Sequence, residues 1–295
     1  MTLDSLPVAE EASVTGPPQR RRGFFRGSRT AVLGTAMLVM LLGVAVFAPW
    51  ISSYDPLTAD PANRLLPPST SHLFGTDDLG RDVFARVLYG GRASLGVGAV
   101  VVLIAVGGGT VLGLLSGYYR WADAILMRFV DGLMSFPGLV LAIALIGVMG
   151  PGVVPVVIAL SLVYAPRVTR IVRGSALVVK DQPMVEAARQ IGASSPYIVL
   201  RHVAPHCLSP IIVQASFIFA YAVLGEAALS FLGVGVPPSL PTWGNVLTES
   251  RAYLQQAWWM AVFPGVFIIL SVLALNIVGD ALRDHFDPKL RQRRS

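Results

Sequence analysis

Residues 181–205, DQPMVEAARQIGASSPYIVLRHVAP, form the longest polar stretch between the apolar runs that fill the middle and end of this chain. Good helix formers precede Gly192, and glycine commonly ends a helix. Ser194 or Ser195 can cap a second helix that has Pro196 in its first turn. The stretch therefore predicts two short helices joined at Gly192. A helical hairpin of this kind between membrane spans is well suited to the docking of a soluble partner.

The composition is that of a membrane protein with several spans. The 295 residues are 54% hydrophobic and only 14% charged, whereas soluble domains carry about 25% charged residues. The mean hydropathy is +0.65, and several apolar runs approach the roughly 20 residues that a helix needs to cross a bilayer. Cys207 is the single cysteine, which excludes an internal disulfide and a cysteine-cluster metal site.

Apolar runs predict an all-α polytopic protein with six transmembrane helices. In chain order the predicted spans are 31–51, 95–117, 124–148, 153–173, 208–232 and 260–278. The second span carries Gly109, Gly113 and Gly117, whose four-residue spacing predicts close packing against another helix. Pro137 is expected to kink the third span, because proline cannot complete the helical hydrogen bonds.

The basic residues predict the orientation of the chain. With both termini in the cytoplasm, 18 of the 23 Lys and Arg residues fall on the cytoplasmic side, as the positive-inside rule requires. Residues 1–30 are then a cytoplasmic tail, of which 1–18 are expected to be disordered. Residues 52–91 form an extracytoplasmic segment, and 282–295 form a basic cytoplasmic tail.

Few polar side chains interrupt the predicted spans. Asp131, Gln214, Glu226 and Asn276 are the intramembrane candidates, since polar groups inside a bilayer are costly and often functional. Asp131 follows Arg128 by three residues, so the two are expected to pair on one side of a helix. For Glu226, a hydrogen bond between helices and a role in transport both stay open.

Three arginines recur at the end of the fourth predicted span. Arg167, Arg170 and Arg173 are spaced by three residues and are expected to anchor the helix at the cytoplasmic interface. Binding of nucleic acid or of a specific lipid is the less favoured interpretation of these residues.

Charged residues of both signs also occur together in the extracytoplasmic segment. Asp77, Asp78 and Asp82 come with Arg81 and Arg86 as ready partners. They are expected to form exposed pairs in a solvated loop, and a cation site is the alternative.

The stretch 181–205 resembles the EAA loop of bacterial ABC-importer permeases, which reads EAA, three residues, Gly, nine residues and then IxLP. His202 and Ala204 stand where that loop has Ile and Leu, so the second half matches more loosely. The matching positions are Glu186, Ala187, Ala188, Gly192 and Pro205.

Further motifs extend the resemblance over about residues 30–290. They are GTDDLGRDV from Gly75, FLGVG from Phe231 and NxxGDxLRDxxDPK from Asn276 to Lys289. Together with the EAA loop, they resemble the C-type permease subunit of dipeptide/oligopeptide ABC importers.

This resemblance implies the MetI-like fold of type I importer permeases. That fold has a core of five spans, here about 92–281 with the coupling loop at 181–205, and in this branch one extra N-terminal helix. The implied partners are a second, B-type permease, two ABC ATPase subunits, an extracytoplasmic substrate-binding protein and the bilayer of the bacterial inner membrane. No cofactor or metal is expected in this chain. ATP and Mg²⁺ would bind the ATPase subunits, and the chain lacks a GxxxxGK[ST] P-loop.

The resemblance also implies roles within the coupling loop. Glu186 is expected to make a polar contact with the ATPase, Ala187 and Ala188 to allow close approach, and Gly192 to form the turn. Transport by alternating access would follow, in which closure of the ATPase dimer moves the loop and the spans.

Other functions compete with peptide import by an ABC permease. The cargo would be di- or oligopeptides, with nickel and glutathione transport as alternatives in the same family. A secondary transporter that works alone would need ion-coupling residues at mid-membrane and often inverted repeats, and neither is evident. An intramembrane protease would need catalytic or metal-binding groups, and the four histidines form no HExxH motif. A purely structural role for this chain stays open.

Overall fold

The computed structural model describes residues 29–286, so the predicted disorder of the first residues and most of the basic C-terminal tail lie outside the described residues. Within this range the chain is helical and forms no β-strand. The helices are α1 Arg29–Val46, α2 Ala48–Ile51, α3 Val83–Tyr118, α4 Arg120–Met134, α5 Gly138–Met149, α6 Val153–Lys180, α7 Pro183–Gln190, α8 Ser195–Ile198, α9 Ala204–Phe231, α10 Trp243–Glu249 and α11 Trp259–Phe286.

Five uninterrupted helical segments are long and apolar enough to cross a membrane: α1, α3, α6, the segment Ser195–Phe231 and α11. The sixth candidate consists of α4 and α5, which meet at an angle of 93°. The third predicted span, 124–148, is therefore wrong as one continuous helix. Pro137 interrupts it: proline has no N–H to continue the helical hydrogen bonds and disfavours the helical conformation in the residue before it. Its own ψ of 125° is extended, and α5 begins directly after it.

The second predicted span begins earlier than the apolar pattern indicates. Helix α3 has 36 residues and starts at Val83, where the Asp82 carboxylate caps it by accepting a hydrogen bond from the Ala85 N–H at 2.7 Å. Residues 83–91, predicted from the sequence to lie in the extracytoplasmic segment, therefore belong to this helix. Helices α6 and α11 likewise extend beyond the ends predicted at 173 and 278.

The polar stretch 181–205 folds as predicted into two short helices, α7 and α8, joined at Gly192. This glycine has a φ of +84°, the left-handed region that other residues rarely adopt. The second helix does not stop before the fifth span, however. A π-helical turn, Val199–Val203, connects α8 directly to α9, so that Ser195–Phe231 is one continuous helical segment of 37 residues.

Close packing of α3 against α6 forms the centre of the fold. Gly109, Gly113 and Gly117 of α3 face Val168, Val172 and Ala176 of α6 in turn, which confirms the predicted small-residue contact and shows that the two helices are parallel. Helix α9 packs against both α3 and α6. Helix α1 lies on α11 and α3 at the outside of this arrangement.

The contact at Gly113 gives the first prediction. A methyl group there would lie 2.6 Å from Val172 Cβ and 2.8 Å from the Thr169 carbonyl oxygen, whereas at Gly107 it would meet nothing within 4 Å. Gly113→Ala is expected to lower the free energy of unfolding by about 1–3 kcal/mol, and Gly107→Ala, the matched control on the same helix, to leave it unchanged or slightly raised. Denaturation in mild detergent measures both, and equal midpoints for the two variants would contradict the packing.

Candidate functional site

The helices α7 and α8 and the turn between them present an exposed face, residues 183–200, which is called the docking surface after the role expected of it from the sequence. Its inner face is apolar and buried against α3 and α6, through Val185, Ala188, Ile198 and Val199. Arg189 stacks on the Tyr118 ring at 5.4 Å, which fastens α7 to the end of α3. The base of these two helices is thus packed into the same apolar core as the spans.

The outer face combines apolar and charged side chains. Ile191 is 84% exposed and Leu200 is 71% exposed, and Tyr197 also projects outward. Glu186 is exposed beside them, and its carboxylate has no ion pair or hydrogen bond within residues 29–286. Exposed apolar groups around an unpaired charge at the end of a membrane helix bundle are typical of a surface that binds a protein.

The predicted loop residues therefore lie together but face different ways. Glu186, Ala187 and Gly192 are exposed on the outer face, and Pro205 is exposed in the first turn of α9. Ala188 is only 6% exposed and packs inward. Its small side chain permits close approach between α7 and the spans of this chain, rather than close approach by a partner.

The four intramembrane candidates are not brought into one group, since no hydrogen bond or ion pair among the described residues joins any two of them. Gln214 is buried in α9, and Asn276 is half-buried in α11. Asp131 pairs with Arg170 of α6 at 2.6 Å, so the expected pair with Arg128 is wrong. Tertiary packing provides a partner that the local spacing does not show.

Glu226 is completely buried where three helices meet. Its carboxylate accepts hydrogen bonds from Ser94 Oγ of α3 at 2.8 Å and from Ser230 Oγ at 2.9 Å. Ser94 Oγ in turn accepts a hydrogen bond from the backbone N–H of Trp243 in α10 at 3.2 Å. This geometry favours the hydrogen-bonding interpretation of Glu226 over a direct role in transport.

A buried charge network, formed by Asp77, Arg81, Arg86 and Glu249, replaces the solvated loop expected from the sequence. Asp77 Oδ2 lies 2.6 Å from both Arg81 Nε and Arg86 Nη1, and Arg81 Nη2 lies 2.7 Å from Glu249 Oε2. Arg86 also pairs with Glu249. Asp77 and Arg86 are fully buried. The expected solvated loop is therefore wrong. Asp77 pairs with Arg81 and Arg86 as expected, whereas Asp82 pairs with His72 and, within the described residues, not with an arginine.

The sequence did not predict Glu249 as a member of this network, because it is 163 residues away from Arg86. The carboxylate oxygens of Asp77, Asp78 and Glu249 lie within 4.8 Å of one another, a spacing that suits a cation. The guanidinium groups of Arg81 and Arg86 already contact two of these carboxylates, so the arrangement is better explained as an ion-pair network. It connects the external segment, the start of α3 and the end of α10.

A second pair supports the same region. His72 Nδ1 lies 2.8 Å from Asp82 Oδ2, while the other oxygen of Asp82 caps α3. Trp259 Nε1 donates to the Thr76 carbonyl at 3.0 Å, which ties the segment to the start of α11. The external segment is thus an ordered cover over one end of the bundle.

Comparison with protein families gives two matches. A family described as "Binding-protein-dependent transport system inner membrane component" matches residues 109–292. A family described as "N-terminal TM domain of oligopeptide transport permease C" matches residues 20–68. The first match covers more than half of the chain.

Curated relatives align with nearly the whole chain. A putative peptide transport system permease protein of Brucella suis is 45% identical, covering 98% of this chain and 97% of the relative. The dipeptide transport system permease protein of Alkalihalophilus pseudofirmus is 39% identical, with 98% and 95% covered. A glutathione transport system permease protein of Escherichia coli is 43% identical, with 98% and 96% covered.

Among solved structures, the inward-facing MetNI methionine ABC transporter contains a chain of similar fold. The TM-score is 0.56 at 20% sequence identity, and the match covers 68% of this chain and 96% of that one. At this identity the likeness concerns the fold alone.

The charge network gives the second prediction. Arg86→Met removes one of the two guanidinium groups that Asp77 and Glu249 share and leaves Arg81 to offset both carboxylates. Because Asp77 is fully buried, the substitution is expected to cost about 3–5 kcal/mol of stability. Asp78→Asn is the control at the edge of the network. Burial, and then the carboxylates of Asp77 and Glu249, raise the pKa of the Asp78 carboxyl above its ordinary value.

Because that pKa is raised in the folded state, ionised Asp78 costs stability at neutral pH, and the cost disappears as pH falls towards the ordinary pKa of aspartate. Asp78→Asn should therefore be slightly more stable than wild type at neutral pH and equal to it in acid. Thermal denaturation in detergent across this pH range measures both variants. A neutral effect of Arg86→Met, or a loss of stability in Asp78→Asn at neutral pH, would contradict the network.

Proposed function

This chain belongs to the family of binding-protein-dependent transport system inner membrane components, and from that premise we propose that it is the C-type permease of an importer for di- or oligopeptides. It is a permease subunit of an ABC importer, it resides in a membrane, and it is not an enzyme. Such a permease works with ATPase subunits and with a substrate-binding protein. The peptide cargo is supported by the relatives whose names refer to peptide, dipeptide and glutathione transport.

The proposed assembly contains a second, B-type permease, two ABC ATPase subunits that hold ATP and Mg²⁺, and one extracytoplasmic binding protein. The docking surface is the observation that carries this proposal. It presents Glu186, Ile191 and Tyr197 at one end of the helix bundle. At the same end, Lys180 Nζ of α6 donates a hydrogen bond to the Gly117 carbonyl of α3 at 3.1 Å. Basic residues concentrate at this end, which supports its location in the cytoplasm of a bacterium, together with both termini.

The connection from α8 to α9 suggests how ATPase motion reaches the spans. Since Ser195–Phe231 is one continuous helical segment, a displacement of Tyr197 in the docking surface moves α9 as well. Helix α9 packs against α3, α6 and α11. Closure of the ATPase dimer would thus shift the helices that surround the path between the two permeases, as alternating access requires.

The composition and cargo of the complex give the third prediction. We expect the tagged chain, purified gently from its own cells, to bring with it a second permease and P-loop ATPases that mass spectrometry can identify. In proteoliposomes supplied with the binding protein, the complex should take up labelled dipeptide only when ATP is present. If glutathione or nickel competes with the labelled dipeptide for uptake, that solute is the cargo instead. A chain that purifies alone and transports on an ion gradient would instead be a secondary transporter.

The coupling turn gives the fourth prediction. Gly192 and Gly150 have φ values of +84° and +86°, and an added Cβ meets nothing within 4 Å at either position. Valine at either site carries the same backbone strain, on the order of 1–2 kcal/mol, but only Gly192 lies in the docking surface. Gly192→Val is expected to lower ATP-driven uptake by about tenfold, and Gly150→Val to keep most of it.

Glu186→Lys, which reverses the exposed charge, should act like Gly192→Val. Membrane insertion and protein level, measured by immunoblot, should be normal in all three variants because none of these positions is buried in the core. Wild-type uptake in both Gly192→Val and Glu186→Lys would exclude the docking surface as the coupling element.

A further inference from the structure

Arg167 lies in the middle of a membrane-spanning helix. It follows Val153, the start of α6, by 14 residues and precedes Lys180, its end, by 13 residues, so it is about 20 Å from either end at ~1.5 Å per residue. A charge at this depth is costly in lipid, and such residues face a protein interior or a water-filled cavity. The sequence pattern assigned Arg167 to the membrane interface, and its position in α6 is deeper than that assignment requires.

The guanidinium of Arg167 is held in place by an aromatic ring. Its Cζ lies 5.4 Å from the centre of the Tyr221 ring of α9. Tyr221 is itself positioned by Tyr164, whose hydroxyl donates to the Tyr221 carbonyl at 2.9 Å. Gly225, one turn further along α9, provides the space for that hydroxyl, since a Cβ there would lie 2.9 Å from it.

Unlike its neighbours, Arg167 has no carboxylate partner within the described part of the chain. Arg170 pairs with Asp131, and Arg173 pairs with Asp123 of α4. Arg167 is exposed, and Tyr221 is 43% exposed. The stacked pair therefore presents an uncompensated positive charge on the surface of this chain, at a depth where the surface is either lipid, protein or water.

The break between α4 and α5 indicates that this surface does not face lipid. Gly138, at the start of α5, lies against Val163, and Asp131 of α4 contacts Arg170. Residues 135–137 therefore pass Arg167 at about the same level, and they are exposed and non-helical. Non-helical backbone at membrane depth is tolerated only where it faces protein or water.

The nearby ion pair leads to the same conclusion independently. The side chains of Arg170 and Asp131 are 46% and 59% exposed. A half-exposed ion pair inside the apolar layer would be strongly unfavourable against lipid chains. One exposed face, called the polar face below, thus carries three charged groups, non-helical backbone and the exposed ring of Phe136. It is formed by Arg167, Arg170, Asp131, Tyr221 and residues 135–137.

We propose that this face lines the translocation path and that Arg167, stacked on Tyr221, binds the carboxylate of the peptide as it passes the middle of the membrane. The proposal rests on the proposed peptide-import function and names a residue of the path. A free guanidinium offers two parallel N–H donors that match a carboxylate, and every linear peptide with an unmodified C-terminus carries one. The aromatic stack orients the cation without neutralising it, so the cargo can bind and leave.

The same chemistry has a second source, a carboxylate side chain of the partner permease. In that case Arg167 would be covered by protein and closed to water. Labelling of a cysteine at this position separates the two sources, and the chain is well suited to the experiment. Cys207 is its single cysteine and is buried, so Cys207→Ala provides a background in which Arg167→Cys is the one thiol of this subunit.

Val111 provides the matched control for labelling. Gly109 and Gly113 of α3 face Val168 and Val172 of α6, which puts Val111 at the level of Arg170. Val111 is 57% exposed but apolar, on a surface without charged neighbours in α3. The experiment uses the assembled complex with cysteines removed from the other subunits, and the reagent is the anionic methanethiosulfonate ethylsulfonate. It should modify Arg167→Cys at least about tenfold faster than Val111→Cys, because only a hydrated thiol ionises and reacts.

Loaded binding protein plus ATP should slow the modification of Arg167→Cys, as cargo occupies the path. Equal and slow modification at both positions would overturn the proposal. A second pair of results would also overturn it: Arg167→Cys is protected with or without cargo, and the partner permease is lost when Arg167→Gln is purified. Together these results would place the Arg167 cation in the interface between the two permeases.

Transport measurements test the carboxylate itself. In proteoliposomes with saturating loaded binding protein, Arg167→Gln should lower the number of peptides taken up per ATP hydrolysed by about tenfold, the loss expected for a charged hydrogen bond. Arg167→Lys should restore much of it. Stimulation of ATP hydrolysis by the binding protein should persist in both variants, which shows that the complex is folded and assembled.

Wild-type vesicles measured alongside distinguish a failure of the peptide-import function from a failure of the proposed role of Arg167. Absence of ATP-dependent peptide uptake by wild type would refute the peptide-import function. Normal uptake by wild type together with wild-type stoichiometry in Arg167→Gln would refute the role of Arg167 alone.

Discussion

The contact between α3 and α6 through three glycines is the constraint on which the rest of this structure depends. Without side chains at Gly109, Gly113 and Gly117, the two backbones approach closely enough for Val168, Val172 and Ala176 to fill the space. Lipid tails are as apolar as these residues, so the contact depends on close packing rather than on the removal of apolar surface from water. The apolar cluster that includes Val168 and Val172 also contains the inner faces of α7 and α8. The docking surface is therefore mounted on the same contact that holds the spans together.

The charged groups inside this bundle have partners on other elements in three places. Glu226 of α9 is bonded to Ser94 of α3, and Arg170 of α6 is paired with Asp131 of α4. At the far end of α3, Arg86 joins Asp77 to Glu249. Each of these interactions replaces water that the interior or the membrane cannot supply. They specify which helices are neighbours, whereas the glycine contact specifies how close they come. By contrast, Arg167 has no carboxylate partner within residues 29–286, as the proposed contact with the cargo requires.

The docking surface and the polar face around Arg167 lie on connected elements. Helix α6 carries Arg167 at its middle and leads at its end into α7, while α8 continues into α9, which carries Tyr221. A shift of the docking surface would therefore change the relation of Arg167 to Tyr221 through two helices at once. This arrangement gives a physical route by which ATPase closure and cargo passage would be coupled, with the break between α4 and α5 as the place where the surrounding wall can move.

The sequence by itself determined the class of the protein, most of its spans, the helical hairpin at 181–205 and the close contact of the glycine-bearing span, because each of these depends on local composition or on spacing along one helix. It also contained the pairing of Asp77 with Arg81, four residues apart. The break at Pro137 and the early start of α3 have local causes, a proline and the Asp82 cap, which the apolar pattern does not show. Tertiary structure alone decided the inward direction of Ala188 and the burial of Arg86 with Glu249. The sequence predicted an ion pair of Asp131 with Arg128, but in the structure Asp131 pairs with Arg170 of a different helix. It placed Arg167 at the membrane interface, and in the structure Arg167 lies over the Tyr221 ring. The physical reason is that the partner of a polar group in a membrane bundle is chosen by which helices touch, and two residues that touch need not be near in sequence.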